Sequence, residues 1–172
     1  LEVTVAEWWD RLARAGLTAP TWPRSQGGLA ATTGIQAVVE EELAKIGAIA
    51  PPIMGLGIRM VGAAIRQFAT PEQFEEIIPH LLTGQSFWTA LMSEPGSDDP
   101  AATACVATFD WKHATINGTK TVLDLAATHA IMLARSTPGS TGRDGLTWLI
   151  VVLAYQPTDL ASGTVEFRDV RV

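Results

Sequence analysis

The residues best placed to do chemistry lie in one short stretch, Phe87 to Asp98, which reads FWTALMSEPGSD. Phe87 to Met92 is a continuous apolar run, long enough for a strand and too short for a helix. Pro95 ends any ladder that the run starts, and Gly96 allows a tight reversal. A strand that runs into Ser93, Gly96 and Ser97 brings two hydroxyls and free backbone N–H groups to a sheet edge. Such a nest of donors suits a phosphate or the polar rim of a heterocycle. The same pattern describes an ordinary solvated exit from a strand, and the residues by themselves leave both readings open.

Other reactive residue types carry less. Glu40, Glu41 and Glu42 sit on an expected helix beside Lys45, where at least two of them are solvated surface residues. Cys105 is the only cysteine, so an internal disulfide or a thiol-based metal cluster is ruled out. Within an expected strand it reads as a small buried hydrophobe. His80 suits the C-terminal end of a helix, while His113 and His129 read as ordinary surface or strand residues. No metal site is expected.

The elements that must position the Phe87–Asp98 stretch are helices before it and strands after it. Thr4 and Glu7 form a capping box, with Val5, Trp8, Trp9 and Leu12 on one helical face and Gly16 as the stop. APTWPRSQGG from Ala19 is a loop, with Trp22 expected to cover a core edge. Thr32 or Thr33 caps a second helix with an apolar stripe of Ile35, Val38, Val39, Leu43 and Ile46. Pro51-Pro52 opens a third, with Ile53, Leu56, Met60, Ala64 and Phe68 as its stripe. Its glycines, Gly55, Gly57 and Gly62, cost about 1 kcal/mol each in helix propensity and suit close packing. Thr70, Pro71 and Gln73 give the clearest helix start in the chain, and Gly84 ends that helix.

Beyond Gln85 the period shortens. Strands are expected at Thr103–Phe109, His129–Arg135, Leu146–Ala154 and Thr164–Phe167. Asn117-Gly118 carries the strongest hairpin-turn signal, and Gly139, Gly142 and Gly145 mark a loop. The pattern is α+β: a helical domain over residues 1–84 and a β domain over 85–172.

The 172 residues suffice for one domain or two small ones, and 47% hydrophobic against 17% charged residues excludes a disordered chain. A net charge of −6 argues against nucleic acid or an anionic membrane as the main partner. The longest uncharged run, Ile46 to Ile58, holds two prolines and falls short of the ~20 residues of a membrane span. Neither a leader peptide nor a repeat is visible. A reducing cytoplasm is the expected location. The abrupt start at Leu1 and end at Val172 fit a portion of a larger protein.

The chain resembles the N-terminal helical domain and the middle β domain of flavin-dependent acyl-CoA dehydrogenases, most nearly the actinobacterial members. The matching pieces run in order: APTWPRSQGG, the Glu-Glu-Leu-Ala run from Glu41, TPEQFEEIIPHLLTG, FWTALMSEPGSD, INGTK, IMLARS, GLTWLIV and VEFRDVRV. The resemblance implies a helical bundle portion followed by an antiparallel β-barrel-like middle domain, with the C-terminal helical domain absent. It implies FAD as cofactor and an acyl-CoA thioester as substrate. It also implies an electron-transfer flavoprotein as acceptor and an oligomer, homomeric or with another subunit of the family. The backbone of Ala90, Leu91 and Met92 would lie beside the flavin ring and Ser93 would donate to its pyrimidine edge. Ser97 would lie near the pyrophosphate and the thioester end. The family's catalytic glutamate falls beyond Val172, so no residue here is assigned as catalytic, and Glu94 is not that base.

Three departures stand out. The Ser93–Asp98 motif is two residues shorter than the family's Ser-Glu-Pro-Gly-Ala-Gly-Ser-Asp. Val122 stands where the family has an aromatic wall, and Asp124 where it has a donor hydroxyl. An ionised carboxylate only accepts, so Asp124 facing flavin acceptors would repel them. The segment between Ala154 and Val165 is also short. Two expectations result: an acyl-CoA dehydrogenase portion acting in fatty-acid or sterol side-chain catabolism, or a non-catalytic partner subunit that has lost its own flavin contacts.

Overall fold

The structure is a computed structural model describing residues 3–49, 56–124, 126–153, 158–159 and 163–172. It divides into two compact units, Leu1–Phe87 and Trp88–Val172.

In the first unit, helix α1 (Val5–Arg14) starts at the expected capping box, with the Thr4 side chain accepting from the Glu7 N–H and Glu7 answering on the Thr4 backbone. Gly16 comes two residues after it, with φ 71. Helix α2 (Thr33–Lys45) is capped by Thr32, but it buries no residue. The expected stripe is not a core face: Ile35, Val38 and Ile46 are exposed, because no described element covers them. Glu41 and Glu42 are exposed and pair with Lys45 at 2.9 Å.

The expected opening of the third helix at Pro51-Pro52, with Ile53 and Gly55, lies outside the described residues. From Gly57 to Gly62 the chain forms a π-helical turn that leads into α3 (Ala63–Phe68). The wider turn rotates the face: Val61, Gly62 and Ile65 are buried, while Phe68 is 77% exposed. Gly62 does serve close packing, since a Cβ there would stand 2.6 Å from the Trp22 ring. Trp22 is buried, with the Arg66 guanidinium 4.7 Å above its ring. Helix α4 (Pro71–Leu82) has the Thr70/Gln73 capping box and packs Ile78, Leu81 and Leu82 inward.

The second unit is one curled sheet of seven strands: β1 (Trp88–Leu91), β2 (Val106–Phe109), β3 (Ala114–Thr121), β4 (His129–Arg135), β5 (Leu146–Val152), β6 (Thr158–Asp159) and β7 (Thr164–Arg171). Four pairings are antiparallel: β2–β3, β3–β7, β4–β5 and β6–β7. Two are parallel, with β1 along β4 and β2 meeting β4 at the Val106/Arg135 pair. The α+β class therefore stands, with a mixed rather than purely antiparallel sheet. Leu91, Cys105, Ile116, Met132, Val151, Val165 and Phe167 are among the residues of its core.

Asn117-Gly118 is not a hairpin turn. Both residues lie inside β3, at a bulge between Ile116 and Gly118 opposite β7. The β2–β3 turn is Asp110–His113, where the Asp110 carboxylate accepts from the Lys112 and His113 N–H groups. Asn117 instead exchanges two hydrogen bonds with Asp169, at 3.0 and 2.9 Å. The glycine serves contact rather than reversal, because a Cβ on Gly118 would meet the Cys105 main chain.

Candidate functional site

The apolar run of β1 alternates across the sheet, so Leu91 points into the core while Ala90 and Met92 stay half-buried. The chain then leaves the sheet and turns at once. Glu94 and Ser97 exchange two backbone hydrogen bonds of 2.9 Å around Pro95-Gly96. Gly96 has φ 84, the value a type II turn needs behind a proline.

Three ties hold this turn. The Ser93 carbonyl accepts from the Thr121 N–H at 2.9 Å, at the end of β3. The Glu94 carboxylate accepts from the Ala104 and Cys105 N–H groups, each at 2.9 Å. Glu94 Oε1 also lies 2.9 Å from the Lys120 ammonium, whose side chain is fully buried. The last contact is an ion pair rather than an aligned hydrogen bond, and Lys120 Nζ has no other partner among the described residues. Burial pushes the Glu94 carboxyl up, but Lys120 and the two amides outweigh it and hold it below the ordinary value. Burial also pushes the neighbouring Cys105 thiol up to about 11.

The Glu94–Lys120 pair escapes a reading of the sequence. Its only linear signal is opposite charges inside two otherwise uncharged segments, and their contact depends on the chain beyond β1 reaching the end of β3, where the Thr121 N–H holds the Ser93 carbonyl.

The remaining site residues divide into two groups. The half-buried Ser93 hydroxyl has no partner among the described residues. The Ser97 hydroxyl oxygen accepts from the Asp99 N–H at 3.3 Å, leaving its proton available. These two share one turn. Val122 is instead 6% exposed and belongs to the core, its N–H bound to the Gly163 carbonyl at 2.7 Å. Asp124 is exposed, and its carboxylate accepts from the Ala126 N–H at 3.0 Å, closing its own small turn.

Beyond the turn, Arg135 ties two loops together. Its guanidinium donates to the carbonyls of Thr103, Ala101, Gly142 and Asp144 and to the Ser140 hydroxyl, at 2.9 to 3.1 Å. In the helical unit, a groove of about 380 Å³ is lined by Ala13, Gln26, Phe74, Ile78 and Leu82 among others. Among the described residues no group of His, Cys, Asp and Glu side chains is arranged to hold a metal. None of their helices is long and apolar enough to cross a membrane.

The architecture is that of acyl-CoA dehydrogenase folds. The steroid acyl-CoA dehydrogenase Tcur3481-Tcur3483, as its G363A variant, superposes with a TM-score of 0.77 over 99% of this chain and 47% of that one, at 21% identity. The ChsE4-ChsE5 complex from Mycobacterium tuberculosis superposes at 0.74 over 98% and 46%, with 26% identity. Residues 2–85 match the acyl-CoA dehydrogenase N-terminal domain. The acyl-CoA dehydrogenase IpdE1 of Mycobacterium tuberculosis is 34% identical over 95% of this chain and 44% of its own length. The chain belongs to the acyl-CoA dehydrogenase family. It spans less than half the length of these relatives.

Proposed function

We propose that this chain is the flavin-side portion of an acyl-CoA dehydrogenase that removes hydrogens from the α and β carbons of an acyl-CoA thioester. Fatty-acid or sterol side-chain catabolism in the cytoplasm is the setting. The observation that carries the reading is the half-buried Ser93 hydroxyl, unpartnered among the described residues at the exit of β1. FAD, when bound, supplies the hydride acceptor, and an electron-transfer flavoprotein would reoxidise it. Ala90 to Met92 provide an apolar main-chain edge. Ser93 would donate its O–H to a ring acceptor, a fixed donor of the kind that stabilises charge gathering there. Ser97 would turn its free proton toward a phosphate oxygen or the thioester end. Removal of the α-proton is assigned to no residue of this chain.

The residues fit such a ring on the β1 side and not on the 122–124 side. Val122 is sunk in the core, and Asp124 offers only an acceptor already turned to Ala126. That mismatch favours a second reading, a subunit that supports the flavin site of a different subunit. Two of the similar structures bear paired names, ChsE4-ChsE5 and Tcur3481-Tcur3483, which supports a hetero-oligomer.

A visible absorption spectrum of the full-length protein, alone and with a co-expressed partner subunit, separates the readings. Flavin bands in the protein alone support an autonomous site. Bands only with the partner support the second reading. Colourless protein in both cases overturns both.

A further inference from the structure

We propose that Glu94, paired with the buried Lys120, is the positioning residue of the Ser93–Ser97 turn, and that ligand retention at that turn depends on it. The turn has little else to hold it. Pro95 and Gly96 are exposed, and Asp98 is exposed beyond them. Its hydrogen bonds are the Glu94/Ser97 pair, the Thr121 N–H to the Ser93 carbonyl, and the Asp99 N–H to Ser97. None of these ties the turn to β2. The Glu94 carboxylate does so alone, gripping the Ala104 and Cys105 amides just before that strand.

Lys120 gives the grip its direction. Its side chain is fully buried and ends 2.9 Å from Glu94 Oε1. With no second partner among the described residues, the ammonium is compensated by this carboxylate alone. A buried charge left without its partner is strongly unfavourable, so the carboxylate is held where the ammonium needs it. Thr121, next to Lys120 in β3, fixes Ser93 from the other side. Ser93 therefore stands between two anchors set by consecutive residues of one strand. A shift of Glu94 would swing both hydroxyls.

The flavin arm of the test rests on the function proposed above; the exchange arm does not. In the full-length protein, E94A is expected to speed amide exchange over residues 92–98 about tenfold more than over residues 129–135, which report the global loss of stability. E94Q, which keeps one acceptor oxygen, falls between E94A and the parent. Should E94A fail to fold, the neutral double variant E94L/K120M, which leaves no acceptor at position 94 and no unpaired ammonium, replaces it, with the same expectation at the turn. Unchanged exchange at 92–98, or a rise shared equally with 129–135, overturns the positioning role.

FAD retention is then compared with V151A, a core truncation in β5 that does not face Lys120. Retention at least about tenfold weaker in E94A than in V151A is expected, with partial rescue in E94Q. Equal retention overturns the link to the ligand. Should the parent protein hold no flavin, with or without a partner, the proposed function fails, and Glu94 is judged on exchange alone.

Discussion

Gly118 stands against the main chain of Cys105 across the β2–β3 pair: a methyl group on Gly118 would lie 2.8 Å from Cys105 Cα and 2.9 Å from its Sγ. The glycine also has φ 140, a conformation other residues rarely adopt. Both effects act on G118A, which should lose about 2–4 kcal/mol of stability. Urea unfolding monitored by tryptophan fluorescence checks this. A loss under about 0.5 kcal/mol, within the ordinary surface range, would show that the strands separate easily there.

Acid should loosen the second unit through Glu94. Its folded carboxyl titrates below the ordinary value of 4.5, so the unfolded chain takes up the proton first. The contribution is complete above 4.5 and is lost as the pH falls through the lower, folded value. Stability curves of the parent and E94Q should therefore converge toward acid pH and separate above pH ~5. Parallel curves through that window would sink the assignment. At neutral pH, E94A leaves a buried ammonium unpaired and should cost about 3–5 kcal/mol.

Asp124 and Val122 behave differently under substitution because they occupy different places. Asp124 is exposed and caps its own turn, a task that a hydroxyl can take over more weakly. D124T should therefore fold normally and raise FAD retention. V122W forces a large ring into the core and should cost about 1–3 kcal/mol by overpacking. Retention measured by flavin absorbance after gel filtration, beside thermal melts, distinguishes them. No gain in D124T would count against charge as the obstacle.

Cys105 should report opening of the β unit. It is 1% exposed with its thiol pushed up to about 11, so little reactive thiolate exists at neutral pH. Labelling by a thiol reagent at pH 8 should be slow in the native protein and accelerate in step with unfolding as urea is added. Fast native labelling would mean that the core around Ile116 opens locally.

The sequence made the local features legible. Capping boxes at Thr4 and Thr70 involve residues three apart, and both appear where expected. The apolar runs of β4 and β5 are nearly complete strands. Features set by distant partners were not legible. The stripe of Ile35 and Val38 has the right period, but burial depends on what lies opposite. Asn117-Gly118 has a turn's composition, yet its partners are Asp169 and Cys105, far along the chain. β7 runs on to Arg171 through Asp169, whose φ of 51 is accommodated by its exchange with Asn117. At the candidate site the motif located Ser93 and Ser97. It did not reveal that Val122 turns inward, or that Glu94 is occupied by Lys120.

The parallel pairing of β1 with β4 sets an order of assembly. β2 with β3 and β4 with β5 are hairpins of chain neighbours, closed by loops of four residues (110–113) and ten residues (136–145). Trp88, by contrast, pairs with His129, so β1 gains its ladder only after the intervening chain has returned. The strand that leads into Ser93 is thus a late arrival, docking onto hairpins that form without it. A translation pause or a chaperone acting before residue 129 emerges would meet this strand unpaired, with Trp88 and Leu91 still uncovered.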